Sequence, residues 1–118
     1  MGVNSETMNE EIIEVNIAKD FTLTPGARYR TDGKFSGEEF YEDVLKARID
    51  EVWSKDNSKL IVYLDGTYGY ASSFLSEVSI RIVKDFIDKK KILEKINFVS
   101  EKDPLIVEAI VKFINETP

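Results

Sequence analysis

The run Leu60-Ile61-Val62-Tyr63-Leu64 constrains this chain more than any other feature. It is continuous, apolar and too short for a buried helix. It therefore reads as a central strand buried on both faces. Amphipathic repeats flank it. Phe40, Tyr41, Val44, Leu45, Ile49, Val52 and Trp53 precede it, and Phe74, Leu75, Val78, Ile82, Val83, Phe86 and Ile87 follow it, at mostly helical spacings. A strand between two such helices implies crossover connections and parallel pairing around it.

The remaining pattern extends this unit. Ile13, Val15 and Ile17 alternate with polar residues, the period of a half-buried first strand. Thr24-Pro25-Gly26 is a turn signal. Ala27 to Thr31 then reads as a second short strand, near enough to pair antiparallel with the first. Ser36 and Glu39 form a capping box, with Phe35 and Phe40 at the positions of a hydrophobic staple, opening a helix to about Ser54. A second helix is expected from about Ser72 to Lys90, and a fourth strand from Ile96 to Val99. Asp103-Pro104 opens a last helix whose inner stripe includes Ile106, Ile110 and Phe113. The order is β-β-α-β-α-β-α, an α/β fold with a mixed four-stranded sheet and three helices. At 118 residues the chain suits one domain, 11–118, after a polar, flexible segment, 1–10.

Composition narrows the chemistry. There is no cysteine and no histidine. Disulfides, thiolate metal sites, cysteine nucleophiles and imidazole bases are therefore excluded. A non-enzymatic protein without metal or cofactor is expected. Sixteen basic and 22 acidic residues give a net charge of −6, a poor match to nucleic acid. The basic run Lys89-Lys90-Lys91 falls near an expected helix end, where cations offset the carbonyl dipole. Gly26, Gly33, Gly66 and Gly69 form neither a GxGxxG fingerprint nor a P-loop. No signal peptide or membrane-length apolar stretch is visible, so a cytoplasmic protein is expected.

Candidate site residues cluster after the central strand. Ser72 and Ser73 open a helix, where a hydroxyl either caps free amides or carries a phosphate favoured by the dipole. Asp65 ends the strand, either as a turn residue or to orient a cation or phosphoryl group. Tyr68 and Tyr70 flank Gly69 in a loop of the kind that binds ligands in open α/β sheets. They serve either as a contact surface or as a lid. Ser76 lies in the same helix start, and Ile80 points away from the apolar stripe of its helix. Arg28 and Arg30 share one face of the expected second strand, to meet an anion or to pair with acids such as Asp32 and Glu38.

Two stretches together resemble a known family. One runs from Asp20-Phe21 through Pro25-Gly26, Arg28 and Asp32-Gly33 to Ser36-Gly37-Glu38-Glu39-Phe40. The other is Leu64-Asp65-Gly66 followed by Ser72-Ser73-Phe74-Leu75. The arrangement is similar to the STAS-like domain family of unknown function, named for its likeness to sulfate-transporter and anti-sigma-factor-antagonist domains. The resemblance implies a STAS-like fold and a regulatory protein-interaction module. In the classical relatives a serine at this helix start is phosphorylated by a histidine-kinase-type ATPase, which switches partner binding. It therefore implies Ser72 or Ser73 as phosphate acceptor, with Asp65, Tyr68, Tyr70, Ser76 and Ile80 at the partner contact. Here Gly66 to Ala71 separate the aspartate from the serines, where the classical motif is a compact Asp-Ser-Ser-Gly. The alternative is a small-molecule or anion-binding domain using the crevice at the carboxyl end of the central strand, near Arg28 and Arg30.

Overall fold

The computed structural model describes residues 10–118. Strand β1 (Glu11–Asn16) runs into a single helical turn, α1 (Ile17–Asp20). A long connection with a 3-10 turn at Arg30–Asp32 leads to helix α2, residues 37–53. Strand β2 (Ser58–Tyr63), helices α3 (Ser72–Phe86) and α4 (Lys89–Lys95), strand β3 (Ile96–Val99) and helix α5 (Pro104–Glu116) follow. The described residues form one three-stranded sheet, β1-β2-β3. Both pairings are parallel, with Glu11 beside Ser58 and Leu60 beside Ile96.

The fold is α/β, but the expected mixed, four-stranded sheet with three helices is not what forms. The sheet has three strands, all parallel, with five helices. The missing strand is Ala27 to Thr31. Its carbonyls have another use: the Gly37 N–H donates to the Ala27 carbonyl at 2.9 Å and the Glu38 N–H to that of Arg28 at 3.1 Å. These amides open α2 and have no partner within a helix. The segment therefore satisfies a helix end instead of pairing with β1. Gly37 also lets the start of α2 pack closely on α3, because a Cβ there would lie 2.8 Å from the Phe74 carbonyl oxygen.

The start of α2 follows the sequence closely. Ser36 Oγ accepts the Glu39 N–H at 3.0 Å. The Glu39 carboxylate reaches back to the N–H of Phe35, one residue before the position a capping box prescribes. At the staple positions it is Phe21 that joins the two rings, 5.7 Å from Phe35 and 5.2 Å from Phe40. The helix contains one π-helical turn, Tyr41–Leu45, before resuming at Lys46–Trp53.

The expected helix from Ser72 to Lys90 is broken at Ile87, which adopts φ 66°. The Asp88 carboxylate accepts the Lys91 N–H and so opens a new helix, the local competition that makes aspartate a good cap. Lys89-Lys90-Lys91 thus begins a helix where it was expected to end one. Lys91 Nζ sits 4.3 Å above the Trp53 ring, and Lys89 donates to the Asn115 carbonyl.

One core unites these elements. Val15, Leu60, Val62 and Ile96 meet Ile49 and Val52 of α2, Phe74 and Ile82 of α3, and Ile110 and Ile114 of α5. β2 was expected to be buried on both faces, but Ser58, Leu60 and Val62 are buried while Lys59, Ile61 and Tyr63 are only half-buried. The reason is the helical layer, which packs on the Leu60–Val62 face. The expected flexible segment lies outside the described residues except for Glu10. No helix of the described residues is long and apolar enough to cross a membrane.

Candidate functional site

Parallel pairing brings the carboxyl ends of all three strands to one side of the molecule. The connections leaving them, residues 17–36, 64–71 and 100–103, gather there.

Asp65 ties two of these connections together. Its carboxylate accepts Ser100 Oγ at 2.7 Å, the Glu101 N–H at 2.7 Å and the Lys102 N–H at 3.4 Å. The Ser100 hydroxyl, and then the Glu101 amide, hold its pKa below the ordinary carboxylate value. Both oxygens are engaged, so the aspartate organises loops and is not aimed at a ligand.

The loop after Asp65 is fastened to the loop after β1. The Tyr68 N–H donates to the Leu23 carbonyl at 2.8 Å, the Ala71 N–H to that of Pro25 at 3.4 Å, and Ser73 Oγ to that of Gly26 at 3.3 Å. On this clamped loop the two tyrosines separate. Tyr70 folds inward, packs against Phe74 at 6.0 Å and donates its hydroxyl to the Leu64 carbonyl at 2.7 Å. Burial pushes its pKa up to about 12. Tyr68 points outward and is 81% exposed. The inward fold expected of both rings as a lid is taken by Tyr70 alone.

Ser72 and Ser73 stand at the start of α3, but neither caps it. The N-cap is Ala71, without a side-chain hydrogen bond. Ser72 is exposed, and Ser73 is turned to Gly26. Capping does not account for either hydroxyl.

Ser76 and Ile80 lie farther along α3, away from Tyr68. Ser76 Oγ is 3.4 Å from Arg28 Nη1. Ile80 lines a surface groove of about 580 Å³ with Arg28, Tyr29, Arg81 and Lys84. Arg28 and Arg30 do not share a strand face. Arg28 bonds Glu77 of α3 at 3.4 Å, whereas Arg30 reaches Glu42 and Asp43 of α2 at 3.1 and 2.8 Å.

These arginines belong to a belt that the sequence reading missed. Glu77 is only 5% exposed and carries both Arg28 and Arg81. Arg81 extends the belt to Glu38 and Glu42 across the α2–α3 seam. Tyr41, buried beneath it, donates to Asp85 at 2.7 Å. Burial, then that bond, drives the Tyr41 pKa far above the ordinary phenol value. The available signal was the Glu77/Arg81 spacing of four on one helix. Among the described residues, no group of three or more acidic side chains is placed to hold a metal ion.

No protein-family model matches the chain. No curated protein matches it in sequence. No solved structure matches its fold.

Proposed function

We propose that this chain is a regulatory protein-interaction module whose contact surface is the 66–73 loop and helix start around Tyr68. The observation that carries the reading is an outward tyrosine on a loop fastened at three points to its neighbour. An exposed aromatic held in place loses little entropy on binding, which is why such residues dominate interface energies. Other exposed apolar side chains, Leu23, Phe35 and Leu105, leave the same carboxyl end of the sheet. A concentration of exposed apolar groups is what a protein-contact surface needs.

Ser72 is the modification point in this reading. It is exposed, has no capping duty, and begins a helix of 15 residues. A phosphate there adds roughly −1.5 to −2 charge beside the contact surface. The STAS-like resemblance supplies the partner class, a histidine-kinase-type ATPase. Anion binding at Arg28 and Arg30 is the weaker reading, since both guanidiniums already lie on carboxylates.

The test is purification of the tagged chain from its own cells, as wild type and as Tyr68→Ala, with intact-mass measurement. The expected result is an ATPase that accompanies the wild type, is lost with Tyr68→Ala, and leaves phosphate on Ser72. Identical companions for both proteins, or none for either, would refute the reading.

A further inference from the structure

The turn between α3 and α4 carries a backbone cost. No glycine or proline lies between Gly69 and Pro104, and good helix formers run through Lys89-Lys90-Lys91-Ile92-Leu93-Glu94. Only Ile87 and Asp88 separate the two helices. Ile87 takes φ 66° and ψ −54°, and the Asp88 N–H donates to the Phe86 carbonyl at 2.7 Å. This is the γ-turn of positive φ, rare and strained, and a β-branched residue suits it least. Burial does not offset the strain, since Ile87 is 75% exposed.

We propose that Ile87 is the hinge of a domain-swapped dimer, in which α3 and α4 join into one helix and residues 88–118 exchange between two copies of the chain. A short strained connection favours exchange. The contacts that close each molecule are remade with the second copy, while the strain of both hinges is released. The joined helix, residues 72–95, is about 36 Å long. The first amides of α4 have no partners within that helix, and joining supplies them.

The exchanged part carries its own means of attachment. Ile96 pairs with Leu60 of β2, and Lys95 Nζ donates to the carbonyls of Lys55 and Ser58 at 2.6 and 3.0 Å. Lys91 covers Trp53, and Ser100 and Glu101 donate to Asp65. Each of these contacts joins a residue before the hinge to one after it, so the second copy can supply it unchanged. The partner is therefore another molecule of this chain, and no new surface is needed. Only the turn itself is lost. Asp88 gives up its cap on the Lys91 N–H, and release of Ile87 from positive φ opposes that loss.

To test this, the full chain is unfolded in urea, refolded at micromolar and at millimolar concentration, and followed by sedimentation. The expected product at high concentration is a dimer that persists on dilution, because separation requires partial unfolding. Ile87→Gly accepts the positive φ and weakens the joined helix, so it lowers the dimer-to-monomer ratio about tenfold or more. Asp88→Ala removes the cap of α4 and favours the joined helix, so it raises that ratio. A cross-link separates exchange from side-by-side association. Ile61→Cys with Asn97→Cys places two thiols at paired strand positions in a chain with no cysteine of its own. Oxidation of the dimer should then join two chains covalently on a denaturing gel. Tyr63→Cys with Val99→Cys repeats the cross-link should the first pair fail to fold. The proposal is overturned if no dimer forms at millimolar concentration, if the Ile87 and Asp88 variants form it as readily as wild type, or if the cross-link stays within one chain.

Discussion

At the α2–α3 seam, Arg28, Arg30 and Arg81 lie against Glu38, Glu42, Asp43 and Glu77. At the carboxyl end of the sheet, Asp65 is consumed by the next loop while Tyr68 stands in solvent. The seam pairs its acids with its bases, part of them at the surface. Backbone hydrogen bonds hold the loops of the other region, leaving an aromatic side chain for outside use. Density of charged residues is therefore a poor guide to where this molecule meets a partner. A group whose partners are internal has little left to offer externally.

The largest expected effect joins the two regions. Phe74 is fully buried and touches Phe21, Phe40 and Tyr70, the rings beneath the clamped loops. Phe74→Ala should cost about 3–5 kcal/mol in urea denaturation. Hydrogen exchange at residues 66–71 should rise with it. Unchanged exchange there would mean that the loops are held by their hydrogen bonds alone.

Glu77→Ala probes the seam. It leaves Arg28 and Arg81 without their shared, buried carboxylate. Both guanidiniums are partly solvated, so the expected loss is about 2 kcal/mol, below that of a fully buried pair. Peptide or partner binding at Tyr68 should not change. If binding falls with Glu77→Ala, the two regions are coupled and their division of labour fails.

Asp65→Asn should have the smallest effect, and one that depends on pH. The Asp65 pKa is lowered in the folded chain, so its carboxylate stabilises the fold above the ordinary carboxylate value near ~3.9. That contribution is lost as pH falls through the lower folded value. Thermal melts should show wild type above the variant at neutral pH and the gap closing in acid. A gap independent of pH would assign the effect to lost hydrogen-bond geometry and not to charge.

Local signals were the legible ones. The Ser36–Glu39 capping pair and Asp103-Pro104 each fix a helix start from adjacent residues, and both helices begin there. Ala27 to Thr31 misled because its alternation is local while the competition for its carbonyls comes from the helix that follows. Tyr68 and Tyr70 are equivalent in sequence around Gly69; Phe74 and the Leu64 carbonyl, which receive Tyr70 alone, separate them. Glu77 and Arg81 are readable as neighbours on a helix. The arrival of Arg28, 49 positions earlier, completes the buried pairing and is not readable.

The all-parallel sheet also bears on how the chain reaches its native state. Among the described residues no strand pairs with a neighbour through a hairpin; Glu11 must find Ser58, and Leu60 must find Ile96. Each ladder can close only after an intervening helical crossover has compacted, so loop-closure entropy is spent before any strand pairing is gained. The crossover helices therefore act as the kinetic gatekeepers of β2, and substitutions that remove the Ser36 cap of α2 or the Asp88 cap of α4 should slow refolding more than those on the strands themselves.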